Sequence, residues 1–555
     1  MINMKNRILL VAALLVAGVA QALACTNLIV GKGASKDGSV IVSYSADSYG
    51  MFGELYHFPA AKHGKDAMRK IYEWDSGKYL GEIKEAPETY NVVGNMNEFQ
   101  VTIGETTFGG RMELRDKSGI MDYGSLIYVA LQRSRTAKEA IKVMTDLVKE
   151  YGYYSSGESF SIADPNEAWI MEMIGKGDGV KGAVWVAVRI PDDCIAAHAN
   201  QARIHQFPLN DKENCLYSPD VISFAREKGY YDGLNKDFSF ANAYCPIDFG
   251  GLRACESRVW SFFNQFNKEA GEKYLPYIEA KTTTPMPLYI KPDNKVSVRD
   301  IQWAMRDHYE GTPLDITNDV GATAYKMPYR LSPLTFEVNG QKYFNERPIS
   351  TQQSAFTFVA QMRADLPNEI GGVLWFGTDD ANMMVFTPVY CCSTRKPVCY
   401  SSDIADCVSF SWESAFWIYN WVADMIRPRY SIMIDDMRAV QNKLENTYAD
   451  AQAGIESAAK AMYDKDPAKA VEFLTSYTEM TAQCAVDSWK KLGEYIIVKF
   501  NDGVIKKTNE DGTLMRPKYE HSHNAPLIRP GYPKEFLEEI VKATGDRYQV
   551  YYESS

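Results

Sequence analysis

The sequence predicts an α+β protein with a large sandwich of sheets and a helical region near its C-terminal end. Segments typical of strands are followed by helical segments and then by further strands, without the strict βαβ alternation of a doubly wound parallel sheet. Beyond Cys407, three long stretches are rich in Ala, Glu and Lys and nearly free of Gly. They predict helices over 412–426, 429–463 and 467–500, and a Lys- and Pro-rich tail follows.

The N-terminal residues have the pattern of a secretory signal. Lys5 and Arg7 precede an apolar run over 8–20, and the small-x-small triplet Ala22-Leu23-Ala24 follows it. The apolar run is too short to span a membrane, and no later segment approaches about 18 uninterrupted apolar residues. We therefore expect a signal peptidase to cut after Ala24 and to yield an exported protein, periplasmic or extracellular, without a transmembrane span.

Such a cut would place a thiol and a free α-amino group on one residue, Cys25. An α-amino group has a pKa of about 8, against about 10.4 for a lysine, so much of it is unprotonated near neutral pH. A thiol beside its own base is an activated nucleophile. Cys25 is therefore the first candidate for a catalytic residue.

A lipoprotein signal offers a competing interpretation, because it also ends immediately before a cysteine. The cysteine is then acylated, which would leave neither a thiol nor a free amine. Lipoprotein signals usually carry Leu three residues before the cysteine, whereas here Ala22 holds that position and Leu23 is displaced by one. We favour the free cysteine and keep a lipid-anchored surface protein as the alternative.

The residues after Cys25 predict a hairpin. Residues 26–30 form a β-branched strand, 36–39 a turn and 40–44 the returning strand, with Asp47 just beyond it. This places Cys25 on a rigid element, and it brings Asp47 back beside the beginning of the chain.

Further elements follow from the periodicity of apolar residues. Strands are expected over 97–105, 158–163, 168–174, 184–189, 195–200, 371–377 and 383–387, and helices over 123–131, 136–151, 297–309 and 354–364. Thr136 is a candidate N-cap. The aromatic residues Trp412, Phe416, Trp417 and Trp421 recur at helical spacing, which favours core packing over a binding site.

Charge and cysteine content exclude some classes of function. The formal charge of −11 becomes −13 when residues 1–24 are removed, because they carry Lys5 and Arg7 and no acidic residue. An acidic chain without a basic stripe does not suit nucleic acid. The ten cysteines include no CxxC pair and no Cys/His spacing typical of zinc. We expect no cofactor.

Nine cysteines remain beside Cys25, so at least one more is unpaired within a chain. The group Cys391, Cys392, Cys399 and Cys407 suggests a local disulfide in an exported protein, and buried reduced cysteines are an equal alternative.

Several stretches in the same order resemble one family. They are CTNLIVGK (25–32), NE with IGETT (97–98 and 103–107), SIADPNEAW (161–169), HANQARI (198–204), RDHYEGT (306–312) and LWFG (374–377). Together they resemble the secreted cysteine dipeptidases of the dipeptidase A type, over most of the chain to about residue 400. The resemblance implies an αββα N-terminal-nucleophile hydrolase sandwich that hydrolyses the peptide bond of dipeptides without a metal. The expected parts are a signal peptide 1–24, a catalytic domain 25–400, a helical appendage 401–500 and a C-terminal tail 501–555.

The more distant penicillin V acylases and bile salt hydrolases of the same superfamily suggest further site residues. Their pattern Arg-Asn-x-Asp aligns with Tyr44-Ser45-Ala46-Asp47, which keeps Asp47 to orient the Cys25 amine and lacks the Arg. Their oxyanion Asn resembles Asn200, and their late active-site Arg resembles Arg258. Their second oxyanion Asn would fall within 105–107, where this chain has none, so that donor stays unassigned.

Each of these residues also has a plainer interpretation. Asp47 could be a turn residue, Asn200 a strand-end cap and Arg258 a member of a surface ion pair. With an α-amine available a catalytic histidine is unnecessary, so His198, His205 and His308 are expected to be structural.

The sequence thus predicts an exported cysteine dipeptidase that acts through a Cys25 thioester, with the freed α-amine as general base. An amidase or acylase for conjugated small molecules is the first alternative. A non-catalytic peptide-binding lipoprotein anchored through Cys25 is the second. The expected partners are a dipeptide or small amide and the signal peptidase, and a homo-oligomer is possible; the side chains that the substrate pocket prefers are left open.

Overall fold

The fold is an α+β arrangement with two large antiparallel sheets and a C-terminal helical region. The computed structural model describes residues 25–552 of the 555-residue chain. The expected signal segment 1–24 lies outside the described residues. Within 25–552, no helix is both long and apolar enough to cross a membrane.

The strands are β1 Thr26–Val30, β2 Val40–Asp47, β3 His57–Phe58, β4 Ala61–Lys62, β5 Met68–Tyr72, β6 Tyr79–Lys84, β7 Glu88–Thr89, β8 Val92–Val93, β9 Met96–Asn97, β10 Thr102–Gly109, β11 Gly157–Ala163, β12 Ala168–Gly175, β13 Ala183–Ile190, β14 Ile195–His198, β15 Cys215–Tyr217, β16 Tyr289–Ile290, β17 Thr335–Val338, β18 Gln341–Phe344, β19 Ser354–Met362, β20 Val373–Thr378, β21 Thr387–Tyr390, β22 Ile505–Lys506 and β23 Leu527–Ile528.

The α-helices of the described chain are α1 Tyr123–Leu131, α2 Ala137–Tyr151, α3 Val221–Glu227, α4 Phe240–Tyr244, α5 Ser257–Phe266, α6 Lys268–Ile278, α7 Val298–Ala304, α8 Asn368–Gly371, α9 Ala415–Ile426, α10 Tyr430–Tyr463, α11 Pro467–Phe500 and α12 Lys534–Thr544. A π-helical segment, Gly251–Glu256, leads directly into α5. Short 3₁₀ turns connect several of these elements.

The two large sheets face each other. One has seven strands in the order β16-β14-β1-β2-β19-β20-β21, and the other has eight in the order β15-β13-β12-β11-β10-β9-β8-β3. β1 and β2 of the first sheet contact β10 of the second. The approach is close at Gly104, where an added Cβ would stand 2.2 Å from Asn27 Oδ1.

Helices lie against both sheets. α1 contacts β10, and α2 contacts β11, β12 and β13 of the eight-stranded sheet. α5 contacts β14, α7 contacts β19, and α11 contacts β21 of the seven-stranded sheet. Because strands in the middle of both sheets are covered on each side, β2, β12 and β19 are buried along their whole length.

Most of the predicted elements near the site are confirmed. β1 and β2 form the expected hairpin with Thr26 opposite Ser45, and Asp47 is the last residue of β2 rather than the residue beyond it. Thr136 caps α2 by accepting a hydrogen bond from the Glu139 N–H at 3.2 Å. The three C-terminal helices begin and end within a few residues of the predicted ranges.

The predicted helix over 354–364 is wrong, because residues Ser354–Met362 form the central strand β19. Ser354 resembled an N-cap, yet its hydroxyl donates to Asp47 Oδ1 at 2.5 Å. β19 pairs with β2 on one side and β20 on the other, so all nine residues are buried and the alternation that marks a half-exposed strand is absent.

Two further expectations are resolved by the described residues. All ten cysteines are free thiols, which removes the suggested disulfide among Cys391, Cys392, Cys399 and Cys407. The aromatic stripe is only partly core, because Phe416 is 8% exposed whereas Trp412 is 53% exposed.

Candidate active site

Cys25 immediately precedes β1, in the middle of the seven-stranded sheet, and is 2% exposed. Its side chain lines a cavity of about 20 Å³ together with residues of both sheets and of α1, among them Asp47, Glu105 and Tyr123. That volume holds roughly one water molecule. A larger ligand therefore requires the side chains of the wall, such as Trp74 and Met51, to move aside.

The Cys25 thiol lies between two polar side chains. Its Sγ is 3.4 Å from Glu105 Oε1 and 3.8 Å from the Tyr44 hydroxyl. Burial raises the pKa of the Cys25 thiol well above its usual value, and the nearby Glu105 and Asp47 carboxyls raise it further. The thiol is therefore protonated at neutral pH in this chain, and it needs a base before it can act as a nucleophile.

Asp47 is a buried carboxylate with a full set of donors. Its Oδ2 accepts from Arg347 Nη2 at 2.5 Å and from the Ser45 hydroxyl at 3.0 Å, and its Oδ1 accepts from the Ser354 hydroxyl. Arg347 was missed in the sequence, where nothing marks it, since it lies 300 residues away in a loop before β19. It places a cation beside Asp47.

Arg258 connects Cys25 to the end of β14. Its side chain is 1% exposed and donates from Nη1 to the Cys25 carbonyl oxygen at 2.7 Å and to the Thr26 hydroxyl at 2.9 Å. Its Nη2 donates to the Ala199 carbonyl oxygen and to Asn200 Oδ1, each at 3.0 Å. The plain interpretation as a surface ion pair is therefore wrong, because the guanidinium is buried among neutral acceptors.

The backbone around Arg258 is unusual. The π-helical segment Gly251–Glu256 ends just before it, and Arg258 Nε donates back to the Ala254 carbonyl oxygen at 2.6 Å. π-Helical turns are rare in proteins, and those that occur are often found at functional sites.

Asn200 follows β14 with a left-handed backbone, φ 61°. Its Oδ1 accepts from Arg258, and its Nδ2 donates to the Thr107 carbonyl oxygen at 2.8 Å, at the far end of β10. The side chain is not among those that line the small cavity with Cys25. Asn tolerates the left-handed region better than most residues, which explains the residue type at this turn.

Two buried glutamates that the sequence did not single out lie on β10 and β11. Glu105 Oε1 accepts from the Tyr44 hydroxyl at 2.7 Å, and Glu158 Oε1 accepts from the Thr107 hydroxyl at 2.7 Å. The two carboxyls also contact each other. Burial raises the pKa of Glu105 to about 7 and that of Glu158 well above its usual value, so the pair holds a proton at neutral pH. The sequence stretch IGETT contains Glu105. Its partner Glu158 becomes apparent only from the pairing of β10 with β11.

Two of the histidines that were expected to be structural, His198 and His308, are buried and have polar partners. His198 lies between the hydroxyls of Thr106 and Ser161, each 2.7 Å away, and burial lowers its pKa to about 3. His308 contacts Glu310 at 3.2 Å. Neither ring lines the Cys25 cavity. Among residues 25–552, no group of three or more His, Cys, Asp and Glu side chains could hold a metal ion.

Fold and site together define an α+β protein with a candidate nucleophile: a buried cysteine before a central strand, flanked by carboxyls and held at its carbonyl by an arginine. The chain belongs to peptidase family C69, whose model matches residues 24–66 and 53–443.

Curated relatives extend the comparison. A probable dipeptidase of Salmonella dublin is 29% identical over 393 residues, which cover 67% of this chain and 82% of the relative. A probable dipeptidase of Latilactobacillus sakei is 24% identical and covers 82% of this chain and 93% of its own length. Dipeptidase A of Lactobacillus helveticus is 25% identical, over 74% of this chain and 83% of that protein.

Proposed function

We propose that this chain is an exported cysteine dipeptidase, activated by removal of residues 1–24. The observation that carries the proposal is the placement of Cys25: it borders a buried cavity, directly before a central strand, with Asp47 and Glu105 beside it. Membership of a peptidase family supports hydrolysis of an amide bond. The printed names of the relatives support dipeptides as the substrate class.

The chemistry that we propose is nucleophilic catalysis by Cys25 after its amine is freed. The α-amine takes the thiol proton as Sγ forms a bond to the carbonyl carbon of the substrate, and it returns that proton to the leaving amine as the C–N bond breaks. This leaves a thioester on Cys25 and releases the second amino acid. Water then adds to the thioester carbonyl carbon, and the α-amine takes a proton from that water. The C–S bond breaks, the α-amine returns the proton to Sγ, and the first amino acid leaves as a carboxylic acid while the Cys25 thiol is restored.

Asp47, Arg258 and Asn200 are the residues that we propose to support this chemistry. Asp47 lies near the Cys25 thiol and is fixed by Arg347, so it can orient the freed amine. Arg258 holds the Cys25 carbonyl oxygen and thereby the position of the residue's backbone. Asn200 is the proposed oxyanion donor, as the resemblance implies. Arg258 holds its Oδ1 and its Nδ2 donates to the Thr107 carbonyl oxygen, so this role requires the Asn200 amide to gain access to the Cys25 cavity when substrate binds.

For the fold, we propose the αββα sandwich of the N-terminal-nucleophile hydrolases, with a signal peptide 1–24, a catalytic domain 25–400, a helical appendage 401–500 and a tail 501–555. The two facing sheets with helices on each of them support this assignment. The position of Cys25 directly before a central strand also supports the assignment. Cleavage of the peptide bond before Cys25 would leave the residue held by β1.

The first experiment determines the state of Cys25. The protein is expressed with its leader in a bacterial host, and the exported form is studied by intact-mass and N-terminal sequence analysis. A chain that starts at an unmodified Cys25 supports the proposal. A diacylated Cys25 or a blocked amine would contradict it and would favour the anchored peptide-binding lipoprotein.

The second experiment removes the nucleophile. Cys25→Ser should lower dipeptide hydrolysis at least about 100-fold while the melting temperature stays close to that of the parent protein. Cys484→Ser, at an exposed thiol on α11, is the matched control and should keep full activity. Full activity of Cys25→Ser would place the nucleophile elsewhere. Faster hydrolysis of N-acyl amino acids than of dipeptides would favour the acylase alternative.

A further inference from the structure

The wall of the cavity beside Cys25 is acidic and aromatic. Asp47 and Glu105 supply the carboxyl groups, and Trp74, Tyr123, Tyr128 and Phe356 supply aromatic rings. Among the described residues that line this cavity there is no lysine, arginine or histidine. The wall therefore suits a cationic group and is unfavourable for an anionic one.

The two carboxyls of this wall differ in their partners. Asp47 has a cation, Arg347, and donors on both of its oxygens. Glu105 is 1% exposed, and its contacts are the Tyr44 hydroxyl, the Cys25 thiol and the Glu158 carboxyl, none of which is a cation. A buried carboxylate without a cation is costly, so Glu105 must either keep a proton or find a positive partner.

Two further carboxyl groups lie behind the aromatic wall. The Tyr123 hydroxyl donates to Asp75 Oδ1 at 2.7 Å, and Asp122, the residue before α1, accepts from the Trp74 N–H at 3.0 Å. Trp74 stacks on Tyr128 with 4.6 Å between the ring centroids. Ring faces attract cations, which adds to the attraction of the carboxyls.

The distances around Cys25 fit a substrate with an amino group next to its reacting carbonyl. In an amino acid, the α-nitrogen lies about 2.5 Å from the carbonyl carbon. Glu105 Oε1 and Cys25 Sγ are 3.4 Å apart. A substrate nitrogen about 2.8 Å from Oε1 and a substrate carbonyl carbon about 3.3 Å from Sγ are compatible with that separation, so one amino acid can contact both groups at once.

We propose that Glu105 binds the protonated α-amino group of the substrate's first residue, inside the aromatic wall, and thereby makes a free amino terminus a requirement for cleavage at Cys25. This inference rests on the proposed function, since it names the substrate group that is recognised beside the nucleophile. The raised pKa of Glu105 supports it, because an ammonium group would take the place of the proton that the buried carboxyl otherwise retains.

The test compares alanyl-alanine with N-acetyl-alanyl-alanine on the mature protein. In the parent enzyme, kcat/KM should be at least about 30-fold higher for the free dipeptide, because the acetylated substrate leaves the buried Glu105 carboxylate without its charge partner. Glu105→Gln should lower kcat/KM for alanyl-alanine by a similar factor, mostly through KM. Its effect on the acetylated substrate should stay within about threefold, so the preference largely disappears.

Glu158→Gln is the matched variant, because Glu158 is the other carboxyl of the pair and does not line the cavity. An amide at this position can donate to Glu105 and keeps the negative charge on it, so the preference for the free amine should persist. The melting temperatures of both variants report on the fold. If Glu105→Gln does not fold, the parent's ratio between the two substrates and the result of Glu158→Gln still test the inference.

Three outcomes would overturn it: equal rates of the parent on both substrates, an equal loss on both substrates in Glu105→Gln, or loss of the preference in Glu158→Gln. The equal loss would show that Glu105 acts on Cys25 rather than on the substrate. These outcomes leave the proposed nucleophile intact. The proposed function itself would be contradicted by different results: full activity of Cys25→Ser on both substrates, or a diacylated or blocked Cys25 in the exported protein.

Discussion

Arg347 and Asp47 form a buried ion pair, Nη2 to Oδ2 at 2.5 Å, across 300 residues of sequence. The Arg347 side chain is 5% exposed and that of Asp47 is 0% exposed, so each charge is stabilised by the other and not by water. The pair fixes the last residue of β2 beside Cys25, and it joins the hairpin that carries Cys25 to the loop before β19.

Arg347→Gln should lower the free energy of unfolding by about 3–5 kcal/mol, because it leaves the Asp47 carboxylate buried without a cation. Urea unfolding followed by circular dichroism measures the change. Arg395→Gln is the control: Arg395 pairs with Glu472 on the surface and should contribute at most about 1 kcal/mol. Equal effects of the two substitutions would contradict the importance of burial.

Arg258→Lys should reduce kcat about 100-fold while the protein stays folded. A lysine ammonium cannot reach the Cys25 carbonyl oxygen and Asn200 Oδ1 together, as the two guanidinium nitrogens do. Steady-state kinetics on a dipeptide, with a melting curve beside it, separates activity from stability. Arg253→Lys, on the neighbouring π-helical segment, is expected to keep kcat within about threefold, since neither Arg253 nor its partner Glu346 lines the Cys25 cavity.

Tyr44→Phe removes one hydroxyl and keeps the ring, which packs edge-on against Phe356 and Phe358. The hydroxyl donates to Glu105 at 2.7 Å and lowers the pKa of that carboxyl, so its loss should raise the pKa of Glu105. We expect the acidic limb of the pH profile of kcat/KM for alanyl-alanine to move to higher pH. An unchanged limb would mean that Glu105 does not control it.

Glu105→Gln should change how stability depends on pH. Burial raises the pKa of Glu105 from about 4.5 in the unfolded chain to about 7 in the folded one. Between those values the folded state binds more protons than the unfolded state, so the free energy of unfolding falls as pH rises from 4.5 to 7 and stays low above 7.

In Glu105→Gln the decrease in the free energy of unfolding that Glu105 causes between these pH values should be absent. Relative to the parent, the variant should gain on the order of 1–3 kcal/mol of stability at pH 8 compared with pH 5, measured by urea unfolding. Glu172, whose pKa burial raises to about 8, remains in both proteins and cancels in the comparison. Parallel pH profiles for parent and variant would show that Glu105 ionises as an ordinary carboxyl.

Gly104→Ala should destabilise the protein by about 1–3 kcal/mol, because the new Cβ would stand 2.2 Å from Asn27 Oδ1 and 3.2 Å from the Tyr44 Cβ. Gly454→Ala, in the middle of α10, is the control. Nothing lies within 4 Å of its added Cβ, and alanine favours a helix, so stability should rise by about 0.5–1 kcal/mol. A neutral Gly104→Ala would mean that the two sheets can separate locally at little cost.

Much of the architecture could be predicted from local patterns. The β1–β2 hairpin, the strands β11 to β14 and the three long C-terminal helices follow from periodicity, turn residues and composition, which act between neighbours in sequence. The 354–364 segment shows where this fails: a strand buried on both faces loses its alternation, and a serine at its start resembled a helix cap.

The sequence by itself determined the candidate nucleophile, Cys25, and the order of elements that puts Asp47 beside it, because both depend on one short hairpin. It also indicated Arg258 and Asn200, through resemblance rather than through any local signal. Only the tertiary structure decided which groups these residues contact. Arg347 forms an ion pair with Asp47, Glu158 contacts Glu105, and Arg258 donates to the Cys25 carbonyl oxygen. Side chains so far apart in sequence come into contact only when the sheets close, and burial then raises the pKa of Glu105 and Glu158.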